Sequence, residues 1–147
     1  MIQRIQTLYL LVSAILIAFL FVLPFAEIAK DGAIYLFNYK GIILDGVVKE
    51  NGMAISVLIG IILALHGFAI LSYKNRIRQM RVIVFTILIM LGLFGMFFFF
   101  TYYSFSGAKV SFNIGMVFPL VAIILDYLAI RSIGKDEALI RSIDRIR

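Results

Sequence analysis

The sequence contains no cysteine and only one histidine, and each shortage excludes a kind of chemistry. Without cysteine the chain forms no disulfide, no thiolate nucleophile and no Cys-ligated metal centre. With His66 alone, a single chain cannot build a bis-histidine haem or a zinc site that needs several imidazoles. We therefore expect no metal and no cofactor.

Catalytic motifs are missing as well. The sequence has no phosphate-cradling glycine loop, no H-E-x-x-H, no G-x-S-x-G and no pair of catalytic carboxylates. A lone histidine is a poor basis for catalysis, because a nucleophile and an orienting group would have to stand nearby. The sequence therefore predicts no catalytic residue and no enzyme.

Apolar residues are what the chain has in abundance. They make up 63% of its 147 residues, against roughly 45–50% in soluble domains. A soluble domain of this length could not hide so much apolar surface, because a large share of a small domain stays exposed. We therefore expect one membrane domain over residues 1–147, with the lipid bilayer as its main solvent.

Four segments are long and apolar enough to be predicted as transmembrane helices, which need about 20 residues each. They cover residues 7–26, 53–73, 82–103 and 114–133. The first also resembles the apolar part of a signal peptide, but it is too long and no A-x-A-like cleavage site follows, so we expect it to be retained. The fourth is the shortest and carries Pro119 and Asp126.

The basic residues predict the orientation. Ten of the fourteen lie at one side of the predicted helices, and Lys30, Lys40, Lys49 and Lys109 lie at the other. Because basic residues accumulate on the cytoplasmic side, both termini are predicted to be cytoplasmic, and the net charge of +6 reflects topology instead of nucleic-acid binding. The predicted cytoplasmic basic patch is Arg4, Lys74, Arg76, Arg78, Arg81, Arg131, Lys135, Arg141, Arg145 and Arg147.

The segments outside the predicted helices have their own patterns. Residues 33–40 and 42–48 are rich in β-branched and aromatic residues around a turn at Tyr39-Lys40-Gly41, which predicts a hairpin, and residues 109–113 offer a third strand. The alternative is that these apolar side chains lie on the bilayer interface without pairing.

After Gly134, residues 135–147 are predicted to form a separate amphipathic helix that binds the anionic inner leaflet or a partner protein, the alternative being a solvated tail.

These elements define the predicted fold class, an all-α four-helix membrane bundle with a small extracytoplasmic β-hairpin or sheet. Helices associate in lipid through close packing, so small residues predict contacts. The predicted packing positions are Gly52, Ser56, Gly60, Ala64, Gly67, Gly92, Gly95, Gly115 and Ala122.

Asp126 is a candidate functional residue, because an acid inside a membrane is costly and rare. It lies five residues before Arg131, which suggests a position near the cytoplasmic boundary. The favoured interpretation is a salt bridge to one of five arginines, and proton or ion handling and contact with a partner are the alternatives. These arginines are Arg4, Arg76, Arg78, Arg81 and Arg131. His66 lies at a similar depth and is predicted to make an interhelical hydrogen bond, for which Asp126 is one candidate partner.

Both ends of the chain carry a resemblance. The start MIQRIQTLY and the tail KDEALIRS followed by DRIR resemble a family of small, uncharacterised four-helix membrane proteins from Bacteroidota. The resemblance implies a bacterial cytoplasmic membrane and a domain of unknown function, with no active residues to transfer.

Two functional hypotheses follow. The first is a non-enzymatic accessory or scaffold subunit of a larger inner-membrane complex, which predicts a dry bundle with Asp126 paired to arginine. The second is a transporter or channel component in which Asp126 and His66 line a polar path, which needs a hydrated cavity that reaches Asp126.

Overall fold

The computed structural model of the protein describes residues 3–103 and 107–144. Within them the chain forms four α-helices, namely α1 Gln3–Ala18, α2 Met53–Leu71, α3 Arg76–Phe98 and α4 Phe118–Asp144. A 3-10 turn over Phe19–Phe21 extends α1, a π-helical turn over Phe99–Tyr103 extends α3, and a 3-10 turn over Ile114–Met116 precedes α4.

Three of the helical segments are long and apolar enough to cross a membrane, and they cover Met53–Leu71, Arg76–Tyr103 and Ile114–Ile140. The fourth apolar segment, Ile5–Phe21, is shorter. The predicted first helix is therefore wrong at its end, since the chain leaves the helical conformation after Phe21. Pro24 explains the early end, because proline disfavours helix in the residue before it.

The strands form one antiparallel sheet in the order β4-β3-β2-β1-β5. Their bounds are β1 Ala26–Lys30, β2 Ala33–Asn38, β3 Gly41–Leu44, β4 Val47–Asn51 and β5 Lys109–Phe112. The predicted hairpin corresponds to β2 and β3, but the predicted third strand, β5, pairs with β1. Because β1 and β4 join the sheet as well, the fold combines helices with a five-stranded sheet and is not the all-α fold with a small hairpin or sheet that was predicted.

One face of the sheet packs on the ends of the helices. We call the end of the bundle that the sheet covers the sheet end. Ala26, Ile28, Phe37 and Ile42 on this inner face are at most 1% exposed. The ring of Phe97 on α3 lies 5.9 Å from that of Phe37. Aromatic packing thus closes this end of the bundle, and the opposite end, where a turn joins α2 to α3, is called the far end.

The tail does not form a separate helix. The predicted break at Gly134 is wrong, because α4 runs without interruption to Asp144. A glycine inside a helix costs only about 1 kcal/mol relative to alanine, and the contacts of the buried Ile133 and Asp136 on either side of Gly134 outweigh that cost. The last part of the predicted tail helix, with Arg145 and Arg147, lies outside the described residues.

The fold predicts that Gly41 cannot be replaced by alanine. Its φ is +113°, and a Cβ there would lie 1.9 Å from the carbonyl oxygen of Glu50 in β4. We expect Gly41→Ala to lower the free energy of unfolding by about 2–4 kcal/mol, since both strain and a backbone clash oppose it. The measurement is the unfolding midpoint in mixed micelles with increasing SDS.

Gly60→Ala on α2 is the matched control, because a Cβ there would meet no described atom within 4 Å. An equal loss of stability in both variants would contradict the position assigned to Gly41 between β3 and β4.

Candidate buried polar site

The interior of the helical bundle contains two groups of buried polar side chains. One group lies midway along the helices and consists of Ser13, His66 and Asp126, each at most 1% exposed. We call it the central site. The other group lies near the far end and consists of Gln6, Ser72, Gln79 and Asp136.

Apolar layers separate these groups from each other and from the sheet. Between them lies a cluster formed by Leu10, Ala69, Ile83, Ala129 and Ile133. Towards the sheet lies a larger cluster that includes Ile17, Ile62, Met90, Ala122 and the aromatic side chains of the sheet end. The central site is therefore enclosed by apolar packing on both sides.

The imidazole of His66 is the centre of this site. Its Nδ1 atom lies 2.9 Å from the carbonyl oxygen of Ile62, one turn earlier in α2. Its Nε2 atom lies 2.9 Å from Ser13 Oγ on α1 and 3.2 Å from Asp126 Oδ1 on α4. Ser13 Oγ is also 3.3 Å from the carbonyl oxygen of Ala122 on α4. One ring thus joins three helices.

The carboxyl group of Asp126 is fully buried. Oδ1 contacts His66, whereas Oδ2 has no hydrogen-bond partner in the described part of the chain. The partner of Asp126 is therefore His66, not any of the described arginine side chains. The favoured arginine interpretation is wrong for these side chains, and the predicted interhelical hydrogen bond of His66 is present.

The depth of Asp126 explains the difference. It is the ninth residue of α4, so it lies about 12 Å along the helix axis from the first residue. Arg76, Arg78 and Arg81 stand at the beginning of α3 at the far end, and Arg131 is exposed. The side chain of Arg4 is not among those described. Asp126 lies too far into the bundle for Arg76, Arg78 and Arg81, and Arg131 points outwards.

Ser13 and Gln6 are site residues that the sequence interpretation did not select. Gln6 donates a hydrogen bond to Asp136, which joins α1 to α4 near the far end. Gln6, Leu10, Ser13 and Ile17 recur at helical spacing and are all buried. The available signal was that Gln6 and Ser13 lie seven positions apart, on the helix face that also carries Leu10 and Ile17.

The small residues have mixed positions. Gly115 and Ala122 are buried, and a Cβ on Gly115 would lie 2.7 Å from the carbonyl oxygen of Pro24. Gly52 approaches the backbone of Gly41 in the sheet instead of a helix. Ser56 is half-buried and donates a hydrogen bond to the carbonyl oxygen of Tyr39. These residues therefore make close contacts, although two of them contact the sheet.

The other predicted packing positions lie away from the bundle interior. Gly60, Ala64, Gly92 and Gly95 are exposed, and Gly67 is half-buried. The buried stripe of α2 is instead Ile55, Ile59, Ile62, His66 and Ala69. Large β-branched side chains occupy the interface, so the predicted stripe of small residues on α2 does not pack between the helices of this chain.

The described side chains of the predicted basic patch all lie at the far end. Lys74, Arg78, Arg81, Arg131 and Lys135 are exposed there, and Arg76 is half-buried. The side chain of Arg141 is not among those described. A groove of about 500 Å³ runs between the α2–α3 turn and α4, and it is lined by Tyr73, Lys74, Asn75, Arg76, Ile77, Glu137 and Ile140.

Fold and site together define a class of protein, a helical bundle with candidate membrane-crossing helices, a sheet over one end and a buried His–Asp pair. The chain belongs to the family described as Domain of unknown function (DUF4293), which matches residues 2–146. This agrees with the resemblance seen at the two ends, in that the family is an uncharacterised one. No curated protein and no solved structure matches the chain.

The central site predicts a large cost for removing its imidazole. We expect His66→Ala to lower the free energy of unfolding by about 3 kcal/mol, because it opens a cavity and leaves Asp126 buried without its partner. Unfolding in mixed micelles measures the change. Thr86→Val is the matched control, with a cost below about 1 kcal/mol, because within the described residues the Thr86 hydroxyl bonds only to the Val82 carbonyl of its own helix. Equal costs would show that the His66 contacts do not stabilise the bundle.

Proposed function

We propose that the chain is a non-enzymatic subunit of a larger complex in a bacterial cytoplasmic membrane. In this proposal it crosses the membrane four times, with both termini in the cytoplasm and the sheet outside. The helical stretch from Gln3 to Phe21 supports a fourth crossing, since its 19 residues span roughly 28 Å, close to the thickness of a bilayer core. The basic residues support the orientation, because those assigned to the outer side all lie in or beside the strands.

The observation that carries the docking role is the outer face of the sheet. One row across four strands consists of Glu27, Leu36, Ile43 and Val48. Leu36 is 37% exposed and Val48 46% exposed, and Ile34 nearby is 66% exposed. The solvated face of an antiparallel sheet is ordinarily polar, and a contiguous exposed apolar patch marks an interaction surface.

The geometry favours a protein as the occupant of this face. Because the inner face packs on the helix ends, the outer face points away from the helices and hence away from a bilayer that the helices cross. Lipid tails therefore do not cover it. The partner that fits is the extracytoplasmic surface of another membrane protein with its own apolar patch, and the open edge of β4 offers backbone groups beside it.

The cytoplasmic side offers a second contact. Exposed Lys74, Arg78, Arg81, Arg131 and Lys135 would lie at the height of the inner-leaflet headgroups. Each basic side chain near an anionic surface contributes about 1 kcal/mol of attraction. Anionic lipids are therefore expected partners at the far end, and the role is to hold the bundle upright for docking.

The docking proposal predicts that Leu36→Lys separates the chain from its complex. The new charge stands opposite Glu27, so the sheet tolerates it, but an apolar partner surface does not. We expect at least a tenfold loss of the proteins that co-elute with the chain after mild-detergent purification from native membranes.

Val47→Lys is the matched control for this substitution. Val47 pairs with Leu44, is 58% exposed and lies on the other face of β4, so co-elution is expected to persist. A wild-type chain that elutes alone, or a Leu36→Lys variant that retains every partner, would contradict docking through the outer face.

The absence of cysteine allows a direct test of the topology. In whole cells, Lys49→Cys and Lys109→Cys are expected to react with a membrane-impermeant maleimide, whereas Lys74→Cys and Lys135→Cys react only after permeabilisation. All four positions are exposed, so a failure to react reports the membrane barrier and not burial in the protein. The opposite labelling pattern would refute the proposed orientation.

A transporter or channel component is the second candidate function. The observation that favours it is the buried Asp126 Oδ2 atom, which has no described hydrogen-bond partner. This function needs water to reach the central site, so the same labelling experiment separates the candidates. Ala129→Cys is at a fully buried position one turn beyond Asp126. Reaction with a small polar thiol reagent favours transport, and an inert thiol favours a dry docking subunit.

A further inference from the structure

The hydrogen bonds of the central site fix how many protons it contains. A carbonyl oxygen only accepts, so the contact with the Ile62 carbonyl requires a hydrogen on His66 Nδ1. In a neutral ring Nε2 is then an acceptor, and an ionised carboxylate offers acceptors alone. Two bare acceptors repel each other at 3.2 Å, the distance between Nε2 and Asp126 Oδ1. One further proton must therefore lie between these two atoms.

With that proton present, a hydrogen bond joins Nε2 to Oδ1. When Nε2 carries it, Nε2 donates to Asp126; when Oδ1 carries it, the carboxyl group donates to Nε2. In the first form the hydrogen on Nε2 is also within reach of Ser13 Oγ, so the single Ser13 hydroxyl hydrogen remains free for the Ala122 carbonyl. In the second form Nε2 already accepts from the carboxyl group, and no hydrogen lies between it and Ser13 Oγ when Ser13 donates to Ala122. Without the proton, Ser13 has one hydrogen for Nε2 and the Ala122 carbonyl, and Oδ1 receives none.

We propose that His66 and Asp126 together form a proton-binding site that holds one exchangeable proton midway along the bundle. The bound form is neutral His66 with a protonated Asp126 carboxyl, or imidazolium with carboxylate. The released form is neutral His66 with an ionised Asp126, and the proton leaves to water. The binding of one proton therefore changes the charge of the site by one unit in a fully buried position.

The surroundings leave this pair as the titrating unit of the central site. On α1 the facing polar group is Ser13, and on α3 the buried polar residue of the bundle middle is Thr86, whose hydroxyl bonds to its own helix. On α4, Asp136 lies ten residues, or about 15 Å, beyond Asp126 and is bonded to Gln6. Among the described residues, no lysine, arginine or further acid faces His66 or Asp126.

Release of the proton has a structural consequence. It leaves Nε2 and Oδ1 as facing acceptors and an ionised carboxylate without a donor in an apolar interior, which is unfavourable. The site then has to open or admit water, and α1, α2 and α4 meet at this point. Proton release is thus coupled to the packing of three helices. This inference holds whether the chain docks a partner or conducts a solute.

His66 is the only histidine, so ring-¹⁵N histidine labelling of the full chain in lipid nanodiscs reports this one ring without assignment. Infrared spectroscopy in parallel reports a protonated carboxyl group. At neutral pH we expect either an imidazolium or a protonated carboxyl group, with hydrogen on Nδ1 in both cases. Raising the pH is expected to release one proton per chain in a single step. The ¹⁵N signals report this step if the imidazole carries the proton, and the infrared band reports it if the carboxyl group does. Neutral His66 together with fully ionised carboxyl groups at neutral pH would overturn the proposal.

Two variants identify the acid. Asp126→Asn is expected to abolish the step if the carboxyl group carries the proton and to move it to lower pH if the imidazole does, whereas Asp136→Asn, at a second buried acid of α4, retains it unchanged. If Asp126→Asn does not fold, Asp126→Glu is the second variant, since it keeps an acid but moves the carboxyl group. It is expected to change the pH at which the proton is released, or the frequency of the carboxyl band in the infrared spectrum. A step that is the same in Asp126→Asn and wild type, or a proton that stays bound until the protein unfolds, refutes an exchangeable site.

Discussion

The contact of His66 with Ser13 and Asp126 is the interaction on which the arrangement of the helices depends. Three helical segments are long and apolar enough to cross a membrane. In a bilayer, burial of apolar side chains would give little preference for one helix arrangement over another, because lipid is as apolar as the interface. Directional polar contacts therefore determine how helices are rotated about their axes. The Nε2 atom meets α1 and α4 at once, so a rotation of α2 by a single residue position, about 100°, would remove both contacts.

The sheet supplies a second, independent constraint. Strands β1 and β2 lie between α1 and α2, whereas β5 lies between α3 and α4, and the pairing of β1 with β5 joins the two connections. Phe25 extends this strand pairing, since its amide donates to the Phe37 carbonyl and its carbonyl accepts from the Asn113 amide. The close approach of Gly115 to Pro24 completes the junction. The sheet therefore connects all four helices at the sheet end. The polar contacts determine how the helices are arranged in the rest of the bundle.

The sequence predicted the order of the helices, because long apolar segments are unambiguous. It also predicted the β2–β3 turn, where Gly41 adopts a conformation that glycine favours. It missed β1, whose Ala-Glu-Ile-Ala-Lys sequence suits a helix as well as a strand. The inward face of α2 was misassigned since both faces of such a helix are apolar, and hydropathy alone cannot show which one meets protein.

The same limitation applies to Asp126. Its sequence distance from Arg131 suggested an arginine partner, yet partner choice depends on which faces of distant helices meet, and that is set by contacts such as Gln6 with Asp136. The sequence identified the costly residue and one candidate partner but could not rank the partners. The role of Ser13 could not be predicted from the sequence at all. A serine in an apolar helix can hydrogen-bond to many different groups, and only the fold shows that Ser13 contacts His66 and the Ala122 carbonyl.

The alternation of polar and apolar layers gives the bundle its register. Along α1, Gln6 and Ser13 are polar while Leu10 and Ile17 are apolar, and α4 places polar Asp136 and Asp126 at the matching heights. If α1 slid by one helical turn, about 5.4 Å, Leu10 or Ile17 would come to the level of Asp126. The Ser13 hydroxyl would then lose His66 and the Ala122 carbonyl, and Gln6 would lose Asp136, which leaves buried polar groups unpaired at a cost of several kcal/mol. Apolar packing permits such a slip, and the polar contacts of Gln6 and Ser13 oppose it. The polar groups that make a proton site possible are thus the same groups that specify a single arrangement of the helices.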